Sequence, residues 1–156
     1  MKRDVTKDEA LRRAAAYCSR SEHCTGEVRA KLMQWGLAAG DADSVVAALA
    51  AQGFVDDRRY ARAFVHDKSR LTGWGRTKIA FHLRAKMIDG RIVDEALREI
   101  EAEAYASRMD KVMSAKARTI NEPDPAKRRA KLLRFGASRG YEYDMLTQWM
   151  DAHGID

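Results

Sequence analysis

The sequence predicts an all-α fold of three tandem three-helix repeats forming an elongated curved array, and three observations lead there. Ala, Arg, Leu, Glu and Lys dominate the 156 residues, while strand-type alternation of Val, Ile and Thr is nearly absent. A helical apolar pattern recurs three times along the chain. The residues that start and stop helices fall between the copies of that pattern.

The recurring pattern is an apolar residue, a second four positions on, then Gly or Met followed by another apolar residue. Val28, Leu32 and Gly36-Leu37 match Ile79, Leu83 and Met87-Ile88, which match Leu132, Gly136 and Gly140-Tyr141. The copies are offset by 51 residues and then by 53. Each is followed by a short apolar helix: Val45, Val46 and Leu49, then Ile92, Val93 and Leu97, then Met145, Leu146 and Trp149. Each is preceded by another, over Asp8 to Cys18, Asp57 to Ser69 and Glu101 to Thr119. The units then run 8–52, 53–100 and 101–156, behind a flexible N-terminus of residues 1–7.

Local chemistry justifies the boundaries. Thr6-Lys7-Asp8-Glu9 has the spacing of a capping box, in which side chains at either end satisfy the first free N–H groups. Asp56 is placed to cap the helix from Asp57, and Asp124 precedes Pro125 at a first helical position. Gly36, Gly53, Gly90 and Gly140 fall where helices should stop, because glycine accepts the left-handed conformation that ends them.

With 46% hydrophobic and 33% charged residues, the chain can bury a moderate core but not two large ones. It has no apolar run near the roughly 18 residues of a membrane span, and no apolar segment follows Met1-Lys2-Arg3 as in a signal peptide. A cytoplasmic protein is expected, with Cys18 and Cys24 as reduced thiols. The net charge of +6 is uneven. Residues 58–91 carry 10 Lys/Arg against only Asp67 and Asp89, whereas residues 1–57 hold 8 Lys/Arg and 9 Asp/Glu. Residues 92–125 hold 5 against 8, and 126–139 hold Lys127, Arg128, Arg129, Lys131, Arg134 and Arg139 with no acid.

Helix faces separate core from surface. Tyr60, Ala61, Phe64 and Val65 should point inward, leaving Arg59, Arg62, His66 and Arg70 as a basic stripe. In the following helix Ile79, Ala80, Leu83 and Met87 should point inward, with Lys78, His82 and Lys86 aligned at four-residue steps. A merely soluble face normally mixes signs, so two basic stripes in succession point to a polyanionic partner. Trp74, between Gly73 and Gly75, either locks its loop to the core or offers a ring for stacking. Trp35 and Trp149 read as packing residues, and Met33, Met87, Met109, Met113, Met145 and Met150 as core filler.

Catalysis finds no support, since phosphate loops, nucleophile elbows and His-Glu-x-x-His helices are all missing from the sequence. The chain is not expected to be an enzyme or to need a cofactor. Cys18, His23 and Cys24 lack a fourth zinc ligand, and Asp56-Asp57 reads as helix capping rather than metal binding.

The run Gly53-Phe54-Val55-Asp56-Asp57-Arg58-Arg59-Tyr60-Ala61-Arg62-Ala63-Phe64-Val65, then Gly73-Trp74-Gly75-Arg76-Thr77-Lys78-Ile79, Leu83 and Lys86-Met87-Ile88, resembles the central signature of the RecX regulatory proteins. Glu27-Val28, Leu32 and the Ala10-Leu11 helix resemble the family's first repeat. The resemblance spans residues 8 to 150 and implies a curved array that binds the RecA recombinase filament on single-stranded DNA and limits its activity in DNA repair. Two departures stand out. Cys24 sits where the family often has serine, so Thr25 or Ser21 is expected to cap, and Gly136 replaces an expected leucine.

On this reading the chain is a monomer whose partner is the RecA filament, with single- or double-stranded DNA as a further contact. The contact residues are Arg58, Arg59, Arg62, Lys68, Arg70, Trp74, Arg76, Lys78, Arg84 and Lys86, joined by Lys127, Lys131 and Arg134 from the second basic segment. The alternative is a sequence-independent DNA-binding protein that works without a recombinase.

Overall fold

A computed structural model describes residues 5–155, and every described element is a helix. The order is α1 (Lys7–Arg20), α2 (Thr25–Gln34), α3 (Ala39–Ala51), α4 (Asp57–Arg70), α5 (Arg76–Ala85), α6 (Gly90–Arg98), α7 (Ala102–Thr119), α8 (Pro125–Ser138) and α9 (Tyr143–Ala152). Residues 1–4, most of the expected flexible N-terminus, lie outside the described residues. Thr6 caps α1 by accepting from the Glu9 N–H at 3.2 Å, and Lys7 opens the helix. Asp56 and Asp124 cap α4 and α8 in the same way.

The apolar residues bury into three clusters, one per triplet of helices. The first gathers Ala10, Ala14, Val28, Leu32, Val45 and Leu49. Ala61, Val65, Ile79, Leu83, Val93 and Ala96 form the second, and Tyr105, Met109, Met113, Leu132, Leu146 and Met150 the third. The extensive helix–helix contacts all fall inside a triplet. Small pieces cross over: Cys24 buries in the second cluster, Val55 in the first, and Ile100 touches both the second and the third. Gly136 is buried in α8 because a Cβ there would come within 2.4 Å of Leu146 and 3.1 Å of Met113, which occupy the space of the expected leucine.

The middle helix of each triplet ends in one device. The N–H of Leu37 reaches the Leu32 carbonyl at 3.2 Å, that of Ile88 the Leu83 carbonyl at 3.4 Å, and that of Tyr141 the Gly136 carbonyl at 3.1 Å. Just before each, Gly36, Met87 and Gly140 adopt φ of 102°, 64° and 96°. This is the Schellman arrangement, in which a left-handed residue turns the chain so that the next one packs back on the helix. Leu37, Ile88 and Tyr141 are accordingly buried.

Three expectations are corrected here. Met87 does not point inward; it is 85% exposed, because the second unit uses it at the left-handed position where its neighbours use glycine. Gly90 therefore stops nothing and begins α6, whose cap is Asp89. Met33 also lies at the surface, at 43% exposure, while Met109, Met113 and Met150 are buried as expected.

Consecutive units meet through backbone. Gly75 at the head of α5 donates its N–H to the Arg139 carbonyl at 2.7 Å, and Thr77 donates to the Gly140 carbonyl at 3.0 Å. The free N–H groups of α5 thus take up the free carbonyls ending α8, so the positive end of one helix dipole meets the negative end of the other. A Cβ on Gly75 would sit 2.2 Å from the Gly140 carbonyl, and one on Gly140 would sit 2.4 Å from the Lys78 Cβ, so glycine is required on both sides. At the first junction the approach is equally close, with a Cβ on Gly26 of α2 placed 2.5 Å from the Lys86 carbonyl ending α5, but there the hydrogen bonds run from Thr25 to the Asp57 carboxylate.

The C-caps lead to a stability prediction. Gly36 has open space around it, so Gly36→Ala costs only the left-handed backbone penalty, about 1 kcal/mol. Met87→Gly removes the same penalty and should raise the thermal midpoint, less the entropy that glycine adds to the unfolded chain. A Met87→Gly protein that loses as much stability as Gly36→Ala would show that Met87 is held by side-chain packing instead.

Candidate partner-binding surface

The basic residues singled out in the sequence divide by what they touch. Arg58 and Arg62 on α4 pair with Glu95 of α6 and with Glu99 just past its end, the second at 2.8 Å. Arg84 on α5 reaches Asp94 at 3.7 Å, and Lys131 reaches Glu122 at 3.0 Å. All but the Lys131 pair are exposed on both sides and worth little to stability, and on α4 they neutralise Arg58 and Arg62.

A second group joins the units. Arg59 pairs with Glu22 of the first unit at 2.9 Å, and Lys86 faces Glu27 at 3.5 Å. Asp57 accepts from both the N–H and the hydroxyl of Thr25, each at 2.8 Å, and so caps α2 from the next unit. This corrects the expected cap. Cys24 is the N-cap, its N–H donating to Glu27 at 3.2 Å, while Thr25 turns outward to the neighbouring unit. Arg76 holds the other junction, with its guanidinium 2.7 Å from Glu142 and 3.9 Å above the Tyr105 ring. Its backbone N–H donates to the Tyr105 hydroxyl at 3.0 Å, and that hydroxyl donates to Glu142.

Burial sets the titration of these groups. Cys24 is pushed up to about 11 by burial, so it stays a protonated thiol at neutral pH, and no group of His, Cys, Asp and Glu fit for a metal occurs among the described residues. Burial raises the Glu27 carboxyl, but the Cys24 N–H and S–H, Lys86 and His23 together hold it below its usual value. A lowered carboxyl contributes stability above its unfolded value and loses it as pH falls through the folded one.

Lys68, Arg70, Lys78, Lys127 and Arg134 remain without a carboxylate partner among the described residues. Two of them converge on Trp74. The Lys68 ammonium lies 4.7 Å from the Trp74 ring and the Lys78 ammonium 4.4 Å from it. The ring is half-buried, edge-on to Phe64 at 6.3 Å and 4.7 Å from His82, and the backbone N–H of Trp74 donates to the Lys68 carbonyl at 2.8 Å. Trp74 thus packs against the second core, as one of its two readings has it, and its ring carries two ammonium groups. Phe81, beside His82 on α5, is 69% exposed, and Leu71 at the end of α4 is 81% exposed. Of the other two tryptophans, Trp149 is buried as expected, with its indole N–H on Asp110 at 2.8 Å. Trp35 is only half-buried and lies under the Arg13 guanidinium at 4.1 Å.

This arrangement of helices recurs in known proteins. The profile of the second three-helix domain of RecX matches residues 56–97. The regulatory protein RecX of Pseudomonas entomophila is 31% identical over 147 residues, covering 94% of this chain and 93% of that one. The chain belongs to the RecX family. The RecX regulatory protein of Prosthecochloris aestuarii is 29% identical over 148 residues, covering 95% of both chains. Among solved structures, RecX from Lactobacillus salivarius superposes with a TM-score of 0.83 at 17% identity, covering 96% of this chain and 97% of that one. Another regulatory protein RecX gives 0.85 at 23%, covering 93% of this chain. The RecX fold and membership in that regulatory family follow, and no described helix is long and apolar enough to cross a membrane.

The division of the basic residues makes its own prediction. Asp57→Ala removes a cap and a junction together and should destabilise by about 1–2 kcal/mol. Lys68→Ala and Lys78→Ala should stay within about 0.5 kcal/mol of the parent. Urea titrations of the three variants check this, and equal losses in all three would erase the distinction between joining and unpaired residues. In the same assay the parent should lose stability as pH falls below the ordinary Glu27 value of 4.5, and Glu27→Gln should flatten that slope.

Proposed function

We propose that this RecX-family protein binds the RecA nucleoprotein filament as a monomer and restrains its growth and ATP turnover in the cytoplasm. The activity is attachment alone, with neither bond-making nor a cofactor. The observation that carries the reading is the pair of cations on the Trp74 ring, Lys68 and Lys78, left without a carboxylate on an array where Arg58, Arg59, Arg62, Arg76, Arg84, Lys86 and Lys131 are paired within the molecule. Such a patch suits acidic filament surface or DNA phosphates, and the apolar Phe81 and Leu71 beside it suit a protein partner. Lys127 and Arg134 extend the positive field along the third unit.

The competing reading is sequence-independent DNA binding, with recombinase irrelevant. Hydrolysis of ATP by RecA on single-stranded DNA separates the two. The protein should slow it at concentrations too low to coat the DNA, and a Lys68→Glu, Lys78→Glu double variant should need about tenfold more protein for the same effect and show a flatter salt dependence. Inhibition only at concentrations that coat the DNA would favour the competing reading. Unchanged inhibition by the double variant would move the interface away from Trp74.

A further inference from the structure

We propose that the crevice between α4 and α7, where the second and third units meet, is a binding site for a phosphate group. The crevice has a volume of about 230 Å³ and is lined by Ser69, Arg70 and Arg108, with Val65 and Ile100 among its apolar walls. Ser69 is the one buried polar residue of the described core, at 2% exposure. The inward positions of the first helices read Ala10, Ala14 and Cys18 in one unit, Ala61, Val65 and Ser69 in the next, and Tyr105, Met109 and Met113 in the last. The counterparts of Ser69 are therefore Cys18 and Met113, and packing at this position calls for an apolar side chain. A polar residue that breaks its own repeat marks a place shaped by something besides folding.

Ser69 aims an arginine. Its hydroxyl accepts from the Arg108 guanidinium at 2.8 Å and still has its own proton to give. Arg108 has no carboxylate partner among the described residues, so its remaining N–H groups are free for a ligand. Arg70, the next residue on α4, is likewise unpaired with an acid and touches only the His66 ring at 3.3 Å. Its counterparts in the other units are Ser19 and Ser114. Two guanidiniums from different units thus converge on one cavity. The remaining charges of the wall are the Arg62–Glu99 pair, which cancels, and Glu101, so the site stays positive.

Phosphate answers this geometry better than a carboxylate does. Each guanidinium presents a planar fork that grips two oxygens, and a phosphate has enough oxygens for two forks and a hydroxyl, whereas a carboxylate fills one fork. The phosphate could be carried by a small molecule or by a nucleic-acid strand; the chemistry at the site is the same. This inference does not rest on the recombinase reading, and its test contains no recombinase.

The test is a thermal unfolding titration of the full chain with pyrophosphate, against sodium chloride at matched ionic strength. A saturable rise in midpoint is expected with pyrophosphate alone. Arg70→Gln, on the exposed side of the crevice, and Arg108→Gln should each raise the half-saturating concentration at least tenfold, and Ser69→Ala should raise it severalfold. Phosphorus NMR of bound pyrophosphate gives a second readout should Arg108→Gln fold poorly. Displacement of pyrophosphate by a short single-stranded oligonucleotide assigns the site to a strand, and its retention assigns it to a free phosphate compound. A midpoint that pyrophosphate moves no more than chloride does, or a rise that persists in both arginine variants, overturns the proposal.

Discussion

The fold depends on the close approach of backbone to backbone where one unit ends and the next begins. Gly75 and Gly140 touch so tightly that neither could carry a Cβ, and across that contact the N–H groups opening α5 take up the carbonyls closing α8. Three small apolar cores are tied into one array by this contact, by the Asp57 bonds and ion pairs of the first junction and by crossing side chains such as Cys24 and Ile100, without merging into one core. Each core is too small to be robust alone, so the junctions do more than set the orientation of the units. They also let each unit draw on its neighbour for stability.

This division of labour shapes the surface. Asp57, Arg59, Arg76 and Lys86 are held in junctions, and Arg58, Arg62 and Arg84 face acids on or just past α6. What stays available to a partner is a smaller group of cations, densest around Trp74 and beside Ser69. On α4 the engaged residues fill the first half, Asp57 to Arg62, and the free Lys68 and Arg70 the last turn, while on α5 the free Lys78 lies between the engaged Arg76 and Arg84, so a charge-reversal variant reports on binding only if it avoids the engaged ones.

Much of this was legible in the sequence. Helix positions follow from apolar periodicity and from caps such as Thr6, Asp56 and Asp124, which act within a few residues. Gly36 and Gly140 locate two of the left-handed stops, but the second unit's is expected at Gly90, because helical spacing from Ile79 and Leu83 places Met87 on the inward face. The pairing of the cations was not legible. Counting charge over residues 58–91 separates Arg58, Arg62 and Arg84 from Glu95, Glu99 and Asp94, which lie just beyond the cut and fold back upon them. Nor does spacing reveal that Gly75 meets Gly140, because that contact is set by how whole units stack. Ser69 carried a signal that the repeat register makes visible: a polar residue in a column of buried apolar ones.

The central claim is that the backbone junctions bind three small cores into one cooperative body, and native-state hydrogen exchange of the Gly75 and Thr77 amides tests it most directly. If the junction opens only when the array unfolds, these amides should exchange as slowly as those of Leu83 and Leu132 deep in the cores. Exchange at the rate of exposed loop amides, with the cores still protected, would mean that the units open independently of one another and would contradict the account.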